Sequence, residues 1–143
     1  MSEIFHRVQI RTPQAPIVRA LTEQAGLARW WTTETKAQPE VGSIAEFRFH
    51  EGQFVMKMKV EEISPERVRW RVEGGPEDWI GTEIAFALET QGDGTMLRFR
   101  HSGWKEGIDF MGHCSAKWAY YMFSLKGYVE AGTGTPHPHD STI

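Results

Sequence analysis

The apolar residues of this chain change their period once. Between residues 43 and 101 they recur at every second position, in runs broken by turn-forming residues. Between residues 110 and 128 they recur at steps of three and four. The first pattern is that of strands with one buried face, the second that of a helix with a buried stripe. Strands joined by short turns must pair antiparallel, and a long helix with a wide apolar stripe needs a sheet face to lie on. The order therefore predicts an α+β fold in which a curved antiparallel meander wraps around the last helix.

The individual runs support this reading. In residues 3–11, Ile4, His6, Val8 and Ile10 face one way, and Phe5, Arg7, Gln9 and Arg11 the other. Thr12-Pro13 suits an N-cap followed by proline at the first helical position. Ile17, Val18 and Leu21 stripe a short helix, and Thr22 is placed to cap a second one that carries Leu27, Trp30 and Trp31. Gly26 weakens that second helix, so it should be short or bent. Phe47 and Phe49 share a strand face, and Glu51-Gly52 turns the chain. Phe54, Met56, Met58 and Val60 then alternate with Val55, Lys57, Lys59 and Glu61. Ser64-Pro65-Glu66 is the next turn. Val68, Trp70 and Val72 alternate with Arg67, Arg69 and Arg71, which reads as a solvated basic face pairing with Glu61, Glu83 or Glu89. Gly74-Gly75-Pro76 breaks the run. Ile84, Phe86 and Leu88, then Leu97, Phe99 and His101, point inward on either side of a Gly92-Asp93-Gly94 hairpin turn. Phe110, Cys114, Trp118, Tyr121, Leu125 and Tyr128 mark a helix of about six turns, with Gly132 as its C-cap. Residues 1–132 are expected to form one domain, and residues 133–143, with little to bury, a disordered tail.

Composition narrows the partners. The 143 residues carry a net charge of −3, with no basic block or arm, so nucleic acid is not the expected partner. The single cysteine, Cys114, excludes an internal disulfide and a multi-cysteine metal site. No apolar run approaches the roughly 18 residues of a membrane span. The first residues lack a charged and then apolar leader. A cytoplasmic protein without membrane insertion is expected. Homodimerisation is compatible with the sequence, which locates no interface.

The chain holds six tryptophans. Together with the inward phenylalanines and methionines, they either fill the interior or wall an apolar cavity. Here a resemblance bears on the choice. Leu21-Thr22, Leu27, Trp30-Trp31, Val41-Gly42, Phe47 and Phe49 match a known pattern, as do Val60, Glu62-Ile63, Pro65, Val68 and Trp70. Gly94-Thr95, Leu97, Phe99, His101-Ser102-Gly103-Trp104, Trp118, Ser124-Leu125-Lys126 and Tyr128 complete it. Over residues 3–131 the chain resembles the START-like helix-grip superfamily, also called SRPBCC. Its nearest likeness is the branch of activator of heat-shock-protein-90 ATPase homologues. The resemblance implies a sheet of six or seven strands, two short helices and a long C-terminal helix, with a cavity between sheet and helix. The chaperone activity of the larger eukaryotic members, which have a further domain, is not carried over.

A small apolar ligand, lipid- or polyketide-like, would then touch Trp31, Phe47, Phe49, Met56, Met58, Trp70, Phe86, Phe99, His101, Phe110, Cys114, Trp118 and Tyr121. Residues 74–79 and 104–109 would form the mouth. Trp31 is expected as a cavity wall and Trp30 as a packing anchor, because adjacent helical residues point about 100° apart. His101 or Tyr121 would supply a polar contact. One alternative is a cyclase- or dehydratase-like enzyme with His101 and Tyr121 as acid and base. Another is a chaperone-associated or regulatory protein acting through its surface. No cofactor and no metal is expected: Asp109 and His113 lie four apart but lack a third ligand at diagnostic spacing. His6 reads as a structural histidine. Cys114, on the buried stripe, reads as a small hydrophobe. His137 and His139 lie in the tail, too sparse for a metal site. The glycine pairs at 74–75 and 92–94 are turns and lack a phosphate-binding context.

Overall fold

A computed structural model describes residues 2–143. Strand β1 (Ser2–Ile10) leads into helices α1 (Gln14–Thr22) and α2 (Gln24–Trp30), then β2 (Glu34–Lys36), β3 (Ile44–Phe49) and β4 (Phe54–Ser64). Strands β5 (Arg67–Gly74), β6 (Glu83–Gln91) and β7 (Gly94–Trp104) follow, and α3 (Phe110–Ala131) closes the series. The seven strands form one sheet in the order β1-β7-β6-β5-β4-β3-β2, every pair antiparallel. The chain thus begins at one edge, crosses to the other through α1 and α2, and returns strand by strand. Register shifts between β4 and β5 leave Glu73 of β5 and Glu61 of β4 out of the pairing and bend the sheet locally. This is the α+β helix-grip architecture expected from the periods.

The inward faces are those the alternation marks. Val68, Trp70 and Val72 of β5 are buried, as are Ile84, Phe86 and Leu88 of β6 and Leu97, Phe99 and His101 of β7. On the outer face, Arg69 donates to Glu83 at 2.8 Å and to Glu62 at 3.3 Å, and Arg71 to Glu61 at 3.3 Å. Glu89 pairs with Arg98 instead of a β5 arginine. Helix α3 buries Cys114, Trp118, Tyr121, Met122, Ser124 and Leu125. Gly132 ends it with φ 82°, the left-handed conformation glycine adopts without a Cβ penalty. His6 accepts its structural reading: its Nε2 lies 3.0 Å from the Ser115 carbonyl oxygen on α3.

Several local expectations are corrected. Thr12 does not cap α1; Pro13 is the N-cap and the Thr12 hydroxyl donates to the Val129 carbonyl, tying the loop to α3. Thr22 does not cap α2 either. Its hydroxyl donates back to Val18 within α1, at 2.8 Å, and Glu23 takes the cap position without a side-chain bond. Strand β2 has no counterpart in the sequence reading, because three residues are too few to show alternation. The tail packs where disorder was expected. His137 forms a bridge to Thr32, with its N–H donating to Trp31 O at 2.8 Å and its carbonyl accepting from Thr33 at 3.0 Å. Unmet backbone groups at the end of α2 supply partners that the tail's composition does not reveal.

The α1–α2 corner is a tight joint. A Cβ on Gly26 would stand 2.7 Å from the Ala20 Cα and 3.3 Å from its oxygen. The Ala20 carbonyl also accepts from the Trp30 indole at 2.7 Å. Gly26 therefore permits close backbone approach, beyond merely weakening a helix. Gly26→Ala should lower stability by about 1–3 kcal/mol, although alanine favours helix by about 1 kcal/mol. Urea denaturation reads the sign directly, and a stabilised variant would refute the packing argument.

Candidate ligand-binding pocket

Strand β7 is joined to α3 through one imidazole. His101, fully buried on β7, accepts from the Trp118 indole N–H at its Nδ1, 3.1 Å away. That bond leaves the proton on Nε2, which donates to the Thr82 hydroxyl at 2.8 Å. Thr82 in turn donates to the carbonyl oxygen of Trp79. Burial drives the imidazole down from 6.5 to about 3, so it is neutral at physiological pH. Both nitrogens are engaged, and none is left for a substrate. The cyclase-like alternative that used His101 as acid or base is therefore corrected: His101 serves as a structural clamp.

Aromatic rings pack around this clamp. Trp31 lies parallel to Trp70 at 5.9 Å between centroids, 4.3 Å from Phe47 and 5.2 Å from Trp118. Trp118 is 4.6 Å from Phe99, and Phe99 is 5.4 Å from Phe86. Rings at these separations fill the central space. Phe47, Met58, Trp70, Phe86, Phe99 and His101 are thus core residues that the pocket does not reach.

The pocket opens where the clamp ends, towards the N-terminal half of α3. It has a volume of about 880 Å³. Of the ligand-contact residues predicted from sequence, Trp31, Phe49, Met56, Phe110, Cys114, Trp118 and Tyr121 line it. Gly75, Pro76 and Trp79 line it from the loop after β5, whereas residues 104–109 do not, and Trp104 is buried in the core. Trp30 is a packing anchor, its indole bonded to Ala20 and its carbonyl accepting from Ser124 at 2.7 Å. Cys114 accepts from the Trp79 indole at 3.4 Å, and burial pushes its thiol up to about 11, which leaves it unreactive at neutral pH.

Of the pocket's polar end, the sequence points to Tyr121 and leaves out Lys117, His137 and Asp140. The Asp140 carboxylate from the tail accepts from Lys117 Nζ and from the Tyr121 hydroxyl, each at 2.6 Å and on the same oxygen. Its other oxygen lies 3.1 Å from His137 Nδ1, and His137 Nε2 accepts from the His50 backbone N–H. Burial works to raise the Asp140 carboxyl, but the Lys117 and Tyr121 hydrogen bonds and the Lys117 charge outweigh it and hold the group low. Burial and the neighbouring Asp140 push the Tyr121 phenol up, so it stays a donor. Lys117 and Tyr121 stand at i and i+4 on α3, a spacing visible in the sequence; that Asp140 meets them was not. Among the described residues, no cluster of His, Cys, Asp and Glu is arranged to hold a metal ion. No helix among them is long and apolar enough to cross a membrane.

Comparison with known proteins agrees with this architecture. The family described as Activator of Hsp90 ATPase homolog 1-like protein matches residues 11–130. The solution structure of the Aha1 dimer from Colwellia psychrerythraea is 43% identical, with a TM-score of 0.85 over 94% of this chain and 100% of that one. An AHSA1-like protein from Aeromonas hydrophila superposes at 0.70 with 17% identity, over 91% and 93% of the two chains. A Staphylococcus saprophyticus protein superposes at 0.78 with 16% identity, over 93% and 95%. These two show the fold alone. No curated protein matches.

The neutral imidazole makes stability depend on pH. The unfolded chain takes up a proton on His101 below about 6.5, whereas the folded protein resists protonation until about 3. Stability is therefore fully present above 6.5 and declines as pH falls towards 3, by on the order of 5 kcal/mol from this group. Denaturation midpoints at pH 7, 5.5 and 4 should fall in that order, and His101→Gln should flatten the slope while lowering stability at pH 7.

Proposed function

We propose that this chain, which belongs to the family of Activator of Hsp90 ATPase homolog 1-like proteins, binds a small apolar molecule in the end pocket of its START-like domain. The ligand would be lipid- or polyketide-like. One observation carries the reading: an aromatic- and methionine-walled space of about 880 Å³ with a few polar groups gathered at one side. Sites for small molecules are commonly 300–1,000 Å³, apolar in most of their lining and polar at a few placed atoms. Met56 adapts to varied shapes, and Phe54, more than half exposed at the rim, offers apolar area without a cost in the core. The chemistry is binding without catalysis, since the one buried histidine has no free nitrogen and the thiol is held protonated.

A screen of fatty acids, aromatics and polyketide-like compounds tests this. A ligand at 100 times its Kd stabilises by about 2.7 kcal/mol, which should raise Tm by roughly 5–10 °C. It should also quench tryptophan fluorescence, because Trp31, Trp79 and Trp118 line the space. Phe54→Ala should weaken binding about tenfold while leaving Tm of the free protein within about 1 °C. If the whole screen moves neither fluorescence nor Tm, the reading fails.

We further propose that the chain forms a homodimer, supported by the 43% identical Colwellia protein, whose solution structure is that of a dimer. Light scattering should give about twice the 16.4 kDa of one chain. A concentration-independent monomer mass would refute it.

A further inference from the structure

Building on the pocket reading above, we infer that the pocket selects apolar molecules bearing a carboxylate, and that Asp140 of the chain's own tail is the internal stand-in for that group. Lys117 and Tyr121, one turn apart on α3, aim an ammonium and a hydroxyl at a single carboxylate oxygen. Among the described lining residues, Lys117 is the only lysine or arginine and Asp140 the only acidic residue. Lys117 also donates to the Ser141 carbonyl at 2.7 Å. Aromatic side chains and Met56 line the same pocket, as do the exposed Ser141, Thr142 and Ile143.

The exchange follows from charge and space. An ammonium ion in apolar surroundings needs an anionic acceptor, and losing it would leave a poorly solvated charge. A neutral apolar ligand has nothing to offer Lys117, so Asp140 must stay and occupy that end of the pocket. A carboxylate ligand replaces one anion by another. The Lys117 and Tyr121 hydrogen bonds are kept, while the ligand's chain covers the apolar walls. The tail beyond His137 then gives up its Asp140 and Ser141 bonds to Lys117 and Tyr121, with Thr142 and Ile143 already exposed. An acyl carboxylate such as a medium-chain fatty acid has this chemistry.

Dodecanoate and dodecan-1-ol, equal in chain length, separate the arms. Each is titrated into the full chain at pH 7.5 and followed by calorimetry and tryptophan fluorescence. Dodecanoate should bind at least tenfold more tightly than the alcohol. Lys117→Met should abolish that preference. Asp140→Asn, a change in the tail that leaves α3 intact, should tighten dodecanoate binding several-fold. Hydrogen exchange of residues 138–143 should speed up with dodecanoate and stay unchanged with the alcohol. Equal affinities for acid and alcohol, or a preference that survives Lys117→Met, would overturn the carboxylate inference while the pocket reading stands. If neither compound binds, this inference fails, and the broad screen then decides the pocket reading.

Discussion

A neutral, fully buried imidazole between sheet and helix governs the rest of this structure. His101 lies where α3 crosses β7, and its two nitrogens take opposite roles, acceptor towards Trp118 and donor towards Thr82. Only the neutral ring can do both. Burial keeps the ring neutral, and the Trp118 N–H that donates to Nδ1 fixes its tautomer. Trp79, Thr82, His101 and Trp118 thereby link the loop after β5, the start of β6, β7 and the helix in one chain of hydrogen bonds.

The clamp also decides where empty space can exist. Around His101 and Trp118, the rings of Trp31, Trp70, Phe86 and Phe99 close the gap between sheet and helix. Towards the N-terminal half of α3 the helix carries Phe110, Cys114 and Tyr121 along an unfilled groove. Opposite them stand Met56 and Phe49, and the tail crosses the gap. The interior is therefore divided: filled at the middle of the sheet, open at one end. The aromatic set is likewise divided: part of it packs ring on ring, and part lines the open end.

How much of this was legible depends on the range of the signal. The alternation of Val68, Trp70 and Val72, and the 3–4 spacing from Phe110 to Tyr128, are local patterns set by backbone geometry, and they placed strands and helix correctly. Trp31 as wall and Trp30 as anchor follow from their angular separation on one helix turn. Phe47, Met58, Trp70, Phe86 and Phe99 were expected at the ligand, yet inward-facing residues of a strand look alike whether they meet a cavity or another ring. The caps at Thr12 and Thr22 were misread because each hydroxyl found a carbonyl elsewhere, one of them on a helix more than a hundred residues away in the chain.

The amino-acid sequence by itself determined the periods, the turns, and hence the α+β meander with its gripping helix, because these rest on interactions between near neighbours. The tertiary structure alone decided that His101 is a clamp, that the cavity is an end pocket, and that Asp140 completes its polar rim. Each of these depends on groups far apart in the chain meeting within hydrogen-bond distance, and residue order carries no measure of that distance. Lys117 and Tyr121 read as two positions on a helix face; a carboxylate from the tail brings their donors to one oxygen.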